Sequence, residues 1–131
     1  MNYEMKNFSK DDRDLRLRTK AFAILVVRFY SKLPKTTEAQ VMGKQVLRSG
    51  TSVGANYREA CRARSKAEFI AKLGDCLKEL DETSYWFELL EETGFVPSEV
   101  LKPLLKECDE LLAIFTTIAK KCKASDKGSI S

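Results

Sequence analysis

Histidine is absent from the sequence. Its absence removes the commonest general base, the usual nucleophilic triads and most zinc and iron ligand sets. Carboxylate, lysine and cysteine chemistry remain, yet no such groups gather beside a nucleophile. A glycine-rich phosphate loop is also missing. Glycine and proline are scarce, with six and three among 131 residues. No stretch alternates apolar and polar residues as a strand does. The longest apolar run, Ala21 to Val27, makes about two helical turns, far short of the roughly 20 residues that span a bilayer. The segment Met1 to Asp14 is polar and mixed in charge, unlike a secretory signal. Cys61, Cys76, Cys108 and Cys122 show no CxxC spacing. They read as small, semi-apolar core residues of a reducing compartment. The expectation is a cytoplasmic protein that is not an enzyme, holds no metal or cofactor, and does not enter a membrane.

Helical periodicity is what the sequence does contain. The first helix is expected from about Asp11 to Leu33, with Ser9 as N-cap and Pro34 as stop. Leu15, Phe22, Val26, Phe29 and Leu33 share one face. The second helix starts near Thr36 or Thr37 and runs to about Arg64. Ser65 and Glu68 form a capping-box signature for the third. Its expected core line is Phe69, Leu73, Leu77, Leu80, Ser84 and Phe87, ended by Gly94 and Pro97. The fourth runs from near Ser98 to about Cys122. Its stripe is Leu101, Leu104, Leu105, Cys108, Leu111, Leu112, Phe115, Ile118 and Cys122. Pro103 bends this helix if it starts at Ser98 and costs little if it starts near Lys102. Short links make consecutive helices antiparallel neighbours, so the fold class is all-α, an antiparallel up-down-up-down four-helix bundle. One domain covers residues 1–131, with an ordered core of about 11–122 and polar tails at 1–9 and 124–131.

The second helix carries more than one buried line. Met42, Val46, Ser49, Val53 and Ala60 point to the core. Gly43, Gly50, Gly54 and Cys61 form a second line of small residues, with Leu47 just beyond. Glycine costs roughly 1 kcal/mol against alanine inside a helix, so three on one line imply a close neighbouring backbone. That neighbour is either another helix of the bundle or another subunit. Leu17 and Ile24 lie opposite the core stripe of the first helix, and Trp86 and Leu89 opposite that of the third. Together with Gly43, Leu47, Gly50 and Gly54 they form the expected oligomer interface.

Charge is segregated along the chain. Residues 1–37 hold nine basic and four acidic side chains, and residues 38–72 hold seven and three. Residues 73–110 reverse this, with three basic and eleven acidic. Lys44, Arg48, Arg58, Arg62 and Lys66 fall on one face, with only Thr51 and Ala55 between them. A line of cations about 30 Å long can track phosphates. It can equally be a solvated face, or one that pairs with the acidic third helix. No aromatic residue alternates with the cations, so base stacking is not indicated. Asn56 and Glu59, with Arg64 as the expected partner of Glu59, read as polar residues that fix helix register.

The stretch Gln45-Val-Leu-Arg48-Ser49-Gly-Thr-Ser52-Val53-Gly-Ala-Asn56-Tyr-Arg-Glu59 resembles the bacterial 23S ribosomal RNA intervening-sequence proteins. So do Arg64-Ser65-Lys-Ala-Glu68-Phe69 and Asp81-Glu-Thr-Ser-Tyr85-Trp86. The resemblance spans roughly Leu15 to Lys120. Many members have glycines after the Asn-x-x-Glu pair, where Ala60 and Ala63 stand here. The resemblance implies a four-helix up-and-down bundle, a ring-shaped homopentamer and no defined catalytic residues. Relatives in fold serve as accessory proteins of diversity-generating retroelements, where a basic pentamer surface engages nucleic acid and a reverse transcriptase. The expected function is therefore a non-enzymatic homo-oligomer that binds structured RNA or other nucleic acid. Its binding surface would be basic, built from the first two helices. The alternative is a protein-interaction scaffold that docks a protein partner and does not touch nucleic acid.

Overall fold

The structure is a computed structural model that describes the backbone of residues 3–130 and the side chains of residues 15–125. Four helices follow one another: α1 (Tyr3–Ser31), α2 (Thr37–Cys61), α3 (Lys66–Glu92) and α4 (Ser98–Ile130). The described residues contain no strand. Each helix packs on the next in sequence, while α1 and α3 touch only slightly and so stand at diagonal corners. This is the expected four-helix bundle.

The helix ends follow local chemistry. α1 begins at Tyr3, ahead of Ser9, so Ser9 lies inside the helix and is not its cap. Residues 3–14 contain neither glycine nor proline, and nothing in the backbone chemistry stops the helix there. The α1–α2 turn is pinned by Gln40, whose Nε2 donates to the Pro34 carbonyl at 2.9 Å and whose Oε1 accepts from the Tyr30 hydroxyl at 2.9 Å. Thr36 caps α2 and Ser65 caps α3, accepting from the Glu68 amide at 3.1 Å. Glu68 reaches back one residue beyond the usual box, to the Arg64 amide at 3.3 Å. α3 ends in a Schellman turn. Gly94 has φ +80°, its amide donates to the Glu91 carbonyl and that of Phe95 to the Leu90 carbonyl. α4 starts at Ser98, so Pro103 stands within the helix and leaves the Glu99 carbonyl without its usual donor. The segment expected as a polar C-terminal tail continues α4 to Ile130.

The core is one apolar cluster. All five predicted α1 residues are buried, and so are Met42, Val46, Ser49, Val53 and Ala60 of α2. Phe29 meets Phe87 edge-on with centroids 5.3 Å apart, and Tyr57 meets Phe115 at 5.5 Å. The core line of α3 differs from expectation. Cys76 and Thr83 are buried where Leu77 and Ser84 were expected, and the latter two are half-buried. α3 is rolled toward α2 because α2 offers small polar partners there. Thr83 donates to the Ser49 hydroxyl at 2.7 Å, and the Cys76 thiol approaches the Val53 carbonyl at 3.6 Å. On α4, Leu105 and Leu112 are half-buried at the edge of the stripe.

The four sides of the bundle are closed to different degrees. α1 lies close on α2 because the glycines let it. α1 and α4 hold their backbones further apart and meet through side chains. Arg18 clasps this seam, donating from Nε and Nη2 to the two Glu107 oxygens at 2.8 Å each and from Nη2 to Glu110 at 2.7 Å. Toward the α1–α2 turn the seam opens into a groove of about 550 Å³ walled by Phe29, Leu33, Phe95 and Leu104.

Candidate nucleic-acid interface

α2 positions the basic line. Its buried side is fixed by Val46, Val53 and Tyr57, so Lys44, Thr51, Ala55, Arg58 and Arg62 are turned outward. Lys44, Arg58 and Arg62 are exposed and form no ion pair among the described residues. Arg48 behaves differently from the expectation. It reaches across to α3 and pairs with Glu79 at 3.3 Å and with Glu82. These contacts raise its guanidinium pKa, Glu79 contributing most. Arg48 is thus already held by the acidic helix. Lys66 opens α3 and is half-buried, so it does not prolong the α2 line.

The small-residue line of α2 faces α1 of the same chain, not an open surface. A Cβ built on Gly43 would fall 2.2 Å from Leu33 Cδ1, one on Gly50 2.7 Å from Val26 Cγ2, and one on Gly54 3.1 Å from Thr19 Oγ1. Of the two neighbours the sequence left open, the bundle's own helix occupies the stripe. Within the chain these glycines serve the α1–α2 contact. Leu47, Trp86 and Leu89 are half-buried, packed in part against the core. Leu17 and Ile24 remain exposed.

The close approach of α1 also brings a cation that the sequence reading missed. Lys20 of α1 and Arg58 of α2 flank a shallow groove floored by Ala23, Thr51, Gly54 and Ala55. A Cβ-poor floor lets a polyanion backbone sit low between two cations. The available signal was that Lys20 follows Thr19, the residue seated on Gly54. At the far end of α2, Arg62, Arg64, Glu59, Glu68 and Lys72 surround an open depression. Glu59 takes its ion pair from Lys72 at 2.7 Å, not from Arg64. Lys72 reaches it because α3 returns alongside α2, while Arg64 is in the turn and gives only its amide to Glu68. Glu59 also raises the Lys72 pKa. Asn56 is half-buried.

The four cysteines are buried, and no disulfide joins them. No group of three potential metal ligands occurs among the described residues. No described helix is long and apolar enough to cross a membrane.

Comparison with known proteins gives a consistent result. No curated protein matches the sequence. A crystal structure from Bacteroides thetaiotaomicron VPI-5482, of a protein with unknown function from the S23 ribosomal protein family, is similar at 40% identity. The TM-score is 0.78, and the match covers 83% of this chain and 97% of that one. The family model for the 23S rRNA-intervening sequence protein matches residues 12–117, which takes in the whole of α2 and α3, their junction, and the larger part of α1 and α4. The chain belongs to the 23S rRNA-intervening sequence protein family.

Proposed function

We propose that this protein is a non-enzymatic homo-oligomer that binds structured RNA through the outer face of α2 and the groove it shares with α1. One observation carries the reading: Lys44, Arg58 and Arg62 stay exposed in line and form no ion pair among the described residues, whereas Arg48 on the same helix does. Arg48 shows that the chain neutralises a cation of this face where neutrality suits the fold. Lys20 widens the line into a two-sided cradle. Contacts of this kind go to phosphates, so binding is steeply salt-dependent and weakly sequence-specific. Several copies in one particle, five by the family resemblance, would join short cradles into a multivalent surface. Four buried cysteines without a disulfide suit a cytoplasmic setting.

The test is a fluorescence-anisotropy titration against a structured RNA and a matched DNA duplex at low and moderate salt. Wild-type protein is expected to bind at low salt and weaken as salt rises. The variant Arg58→Glu/Arg62→Glu is expected to lose binding while keeping its helicity and mass. Undiminished binding by that variant removes the α2 face from consideration. Absence of binding by the wild type at low salt overturns the reading and leaves the protein-scaffold alternative.

A further inference from the structure

The groove between α1 and α4 is apolar except along one edge. Phe29, Leu33, Phe95 and Leu104 wall it, and Leu25 and Val100, each 47% exposed, border it on α1 and α4. The polar side chains of its lining are two cations, Arg28 in the last turn of α1 and Lys32 in the turn that follows. Both are exposed, and neither has an ion pair among the described residues. Of the charged residues next to the lining in sequence, Lys35 and Lys102 are basic and Glu99 is acidic, which leaves the balance positive.

The prolines give this end of the bundle its character. Pro34, Pro97 and Pro103 are all the prolines of the chain, and all three line the groove. Each presents an apolar ring and carries no N–H, so the wall is poor in main-chain donors.

Size and polarity together select the occupant. A volume of about 550 Å³ falls in the range of small-molecule sites, roughly 300–1,000 Å³. The α1 wall extends from Leu25 past the end of the helix to Leu33, about 10 Å of rise. A whole helix, about 10–12 Å across, would overfill that length. An extended peptide would bring main-chain N–H groups, and a sugar would bring hydroxyls, yet no lining side chain is an acceptor. A hydrocarbon chain needs no acceptor. The two cations at the edge require that it end in an anion, and a carboxylate suits a guanidinium best.

We propose that this groove binds a free fatty carboxylate of medium chain length. The chain lies along Phe29, Phe95 and Leu104, and the head rests at the rim on Arg28 and Lys32. This site is on a different side of the bundle from the α2 cations and does not depend on RNA binding.

Isothermal titration calorimetry on the full chain tests this, with octanoate, decanoate and dodecanoate below their micelle concentrations. Wild type is expected to take one carboxylate per chain, about two- to fourfold more tightly for each added methylene until the groove is full. Decyltrimethylammonium, with a matched chain and the opposite charge, is expected to bind roughly tenfold more weakly or worse. Arg28→Glu/Lys32→Glu, two exposed positions, is expected to reverse that preference with helicity unchanged by circular dichroism. Val100→Asp, which sets a carboxylate on the α4 wall and leaves both cations in place, is expected to weaken decanoate binding. Arg58→Glu/Arg62→Glu is expected to bind decanoate as wild type does. Equal affinity of wild type for the two head groups overturns the proposal, because it marks surfactant adsorption. So does decanoate binding that survives both groove variants, or that is lost with the α2 cations. A wild type that binds none of the carboxylates also overturns it, and leaves the groove to a protein segment or a second copy.

Discussion

Gly50 of α2 sits so close to Val26 of α1 that an added methyl would lie 2.7 Å from Val26 Cγ2 and 3.0 Å from Cγ1. Val26 is fully buried and branched at Cβ, so neither methyl can turn away. Gly50→Ala therefore gains about 1 kcal/mol of helix propensity but meets an overpacking cost of about 1–3 kcal/mol. A net loss of roughly 1 kcal/mol is expected in the urea midpoint. Gly43→Ala meets the tip of Leu33, a rotatable group, and is expected to lose less. An unchanged midpoint for Gly50→Ala would show that the α1–α2 seam yields.

The Arg18 clasp should register as salt-sensitive stability. Arg18 is bidentate on Glu107, whose side chain is only 23% exposed, and Glu107 is the largest cause of the raised Arg18 pKa. Arg18→Met keeps the aliphatic stem and removes the charge. It is expected to cost about 1 kcal/mol at low salt, the upper end for a partly exposed pair. The difference should shrink in 1 M salt, where the Debye length is about 3 Å. Equal costs at both salt levels would assign the effect to packing.

Ser49 and Thr83 are joined by a buried hydroxyl-to-hydroxyl hydrogen bond between α2 and α3, at 2.7 Å. Ser49 also donates to the Gln45 carbonyl at 2.8 Å, which leaves its oxygen to accept from Thr83. Thr83→Val is expected to cost about 1 kcal/mol by leaving that oxygen without its donor. Ser49→Ala should cost less, because Thr83 can still donate to the Glu79 carbonyl at 2.7 Å. A double-mutant cycle should show coupling of roughly 0.5–1 kcal/mol. Strict additivity would mean the two hydroxyls act alone.

Two thiols set an alkaline limit to stability. Burial pushes Cys76 and Cys108 up from 9.0 to about 12. In the unfolded chain they ionise near 9, so above that pH the unfolded state holds fewer protons. Stability from these thiols is complete below pH 9 and declines as pH climbs toward 12, by about 1.4 kcal/mol per unit for each thiol. Urea melts from pH 8 to 10.5 should show this slope, and Cys76→Ala/Cys108→Ala should flatten it. Identical slopes would refute it.

The bundle was legible because periodicity, caps and breakers agree. Ser65, Gly94 and the Leu15-to-Leu33 stripe each have a single physical reading. Helix roll was less legible. Whether Cys76 or Leu77 faces inward depends on Ser49 and Val53 across the seam, which α3's own sequence does not contain. The cation line was half legible. Its residue types and spacing are visible, but the capture of Arg48 by Glu79 and Glu82 needs the crossing of α2 and α3. Lys20 was invisible until α1 settled onto Gly54. The glycine line announced a close neighbour without saying whose.

The open α1–α4 seam has a kinetic meaning. Nearly all packing joins helices adjacent in sequence, since α1 and α4 meet through side chains and α1 and α3 barely touch. Each helix finds its main partner across one short turn, so loop-closure entropy is small at every step. Such a topology has low contact order and belongs with proteins that fold in microseconds to milliseconds. Docking of the outer two helices through the Arg18 clasp would then be the last and most reversible event.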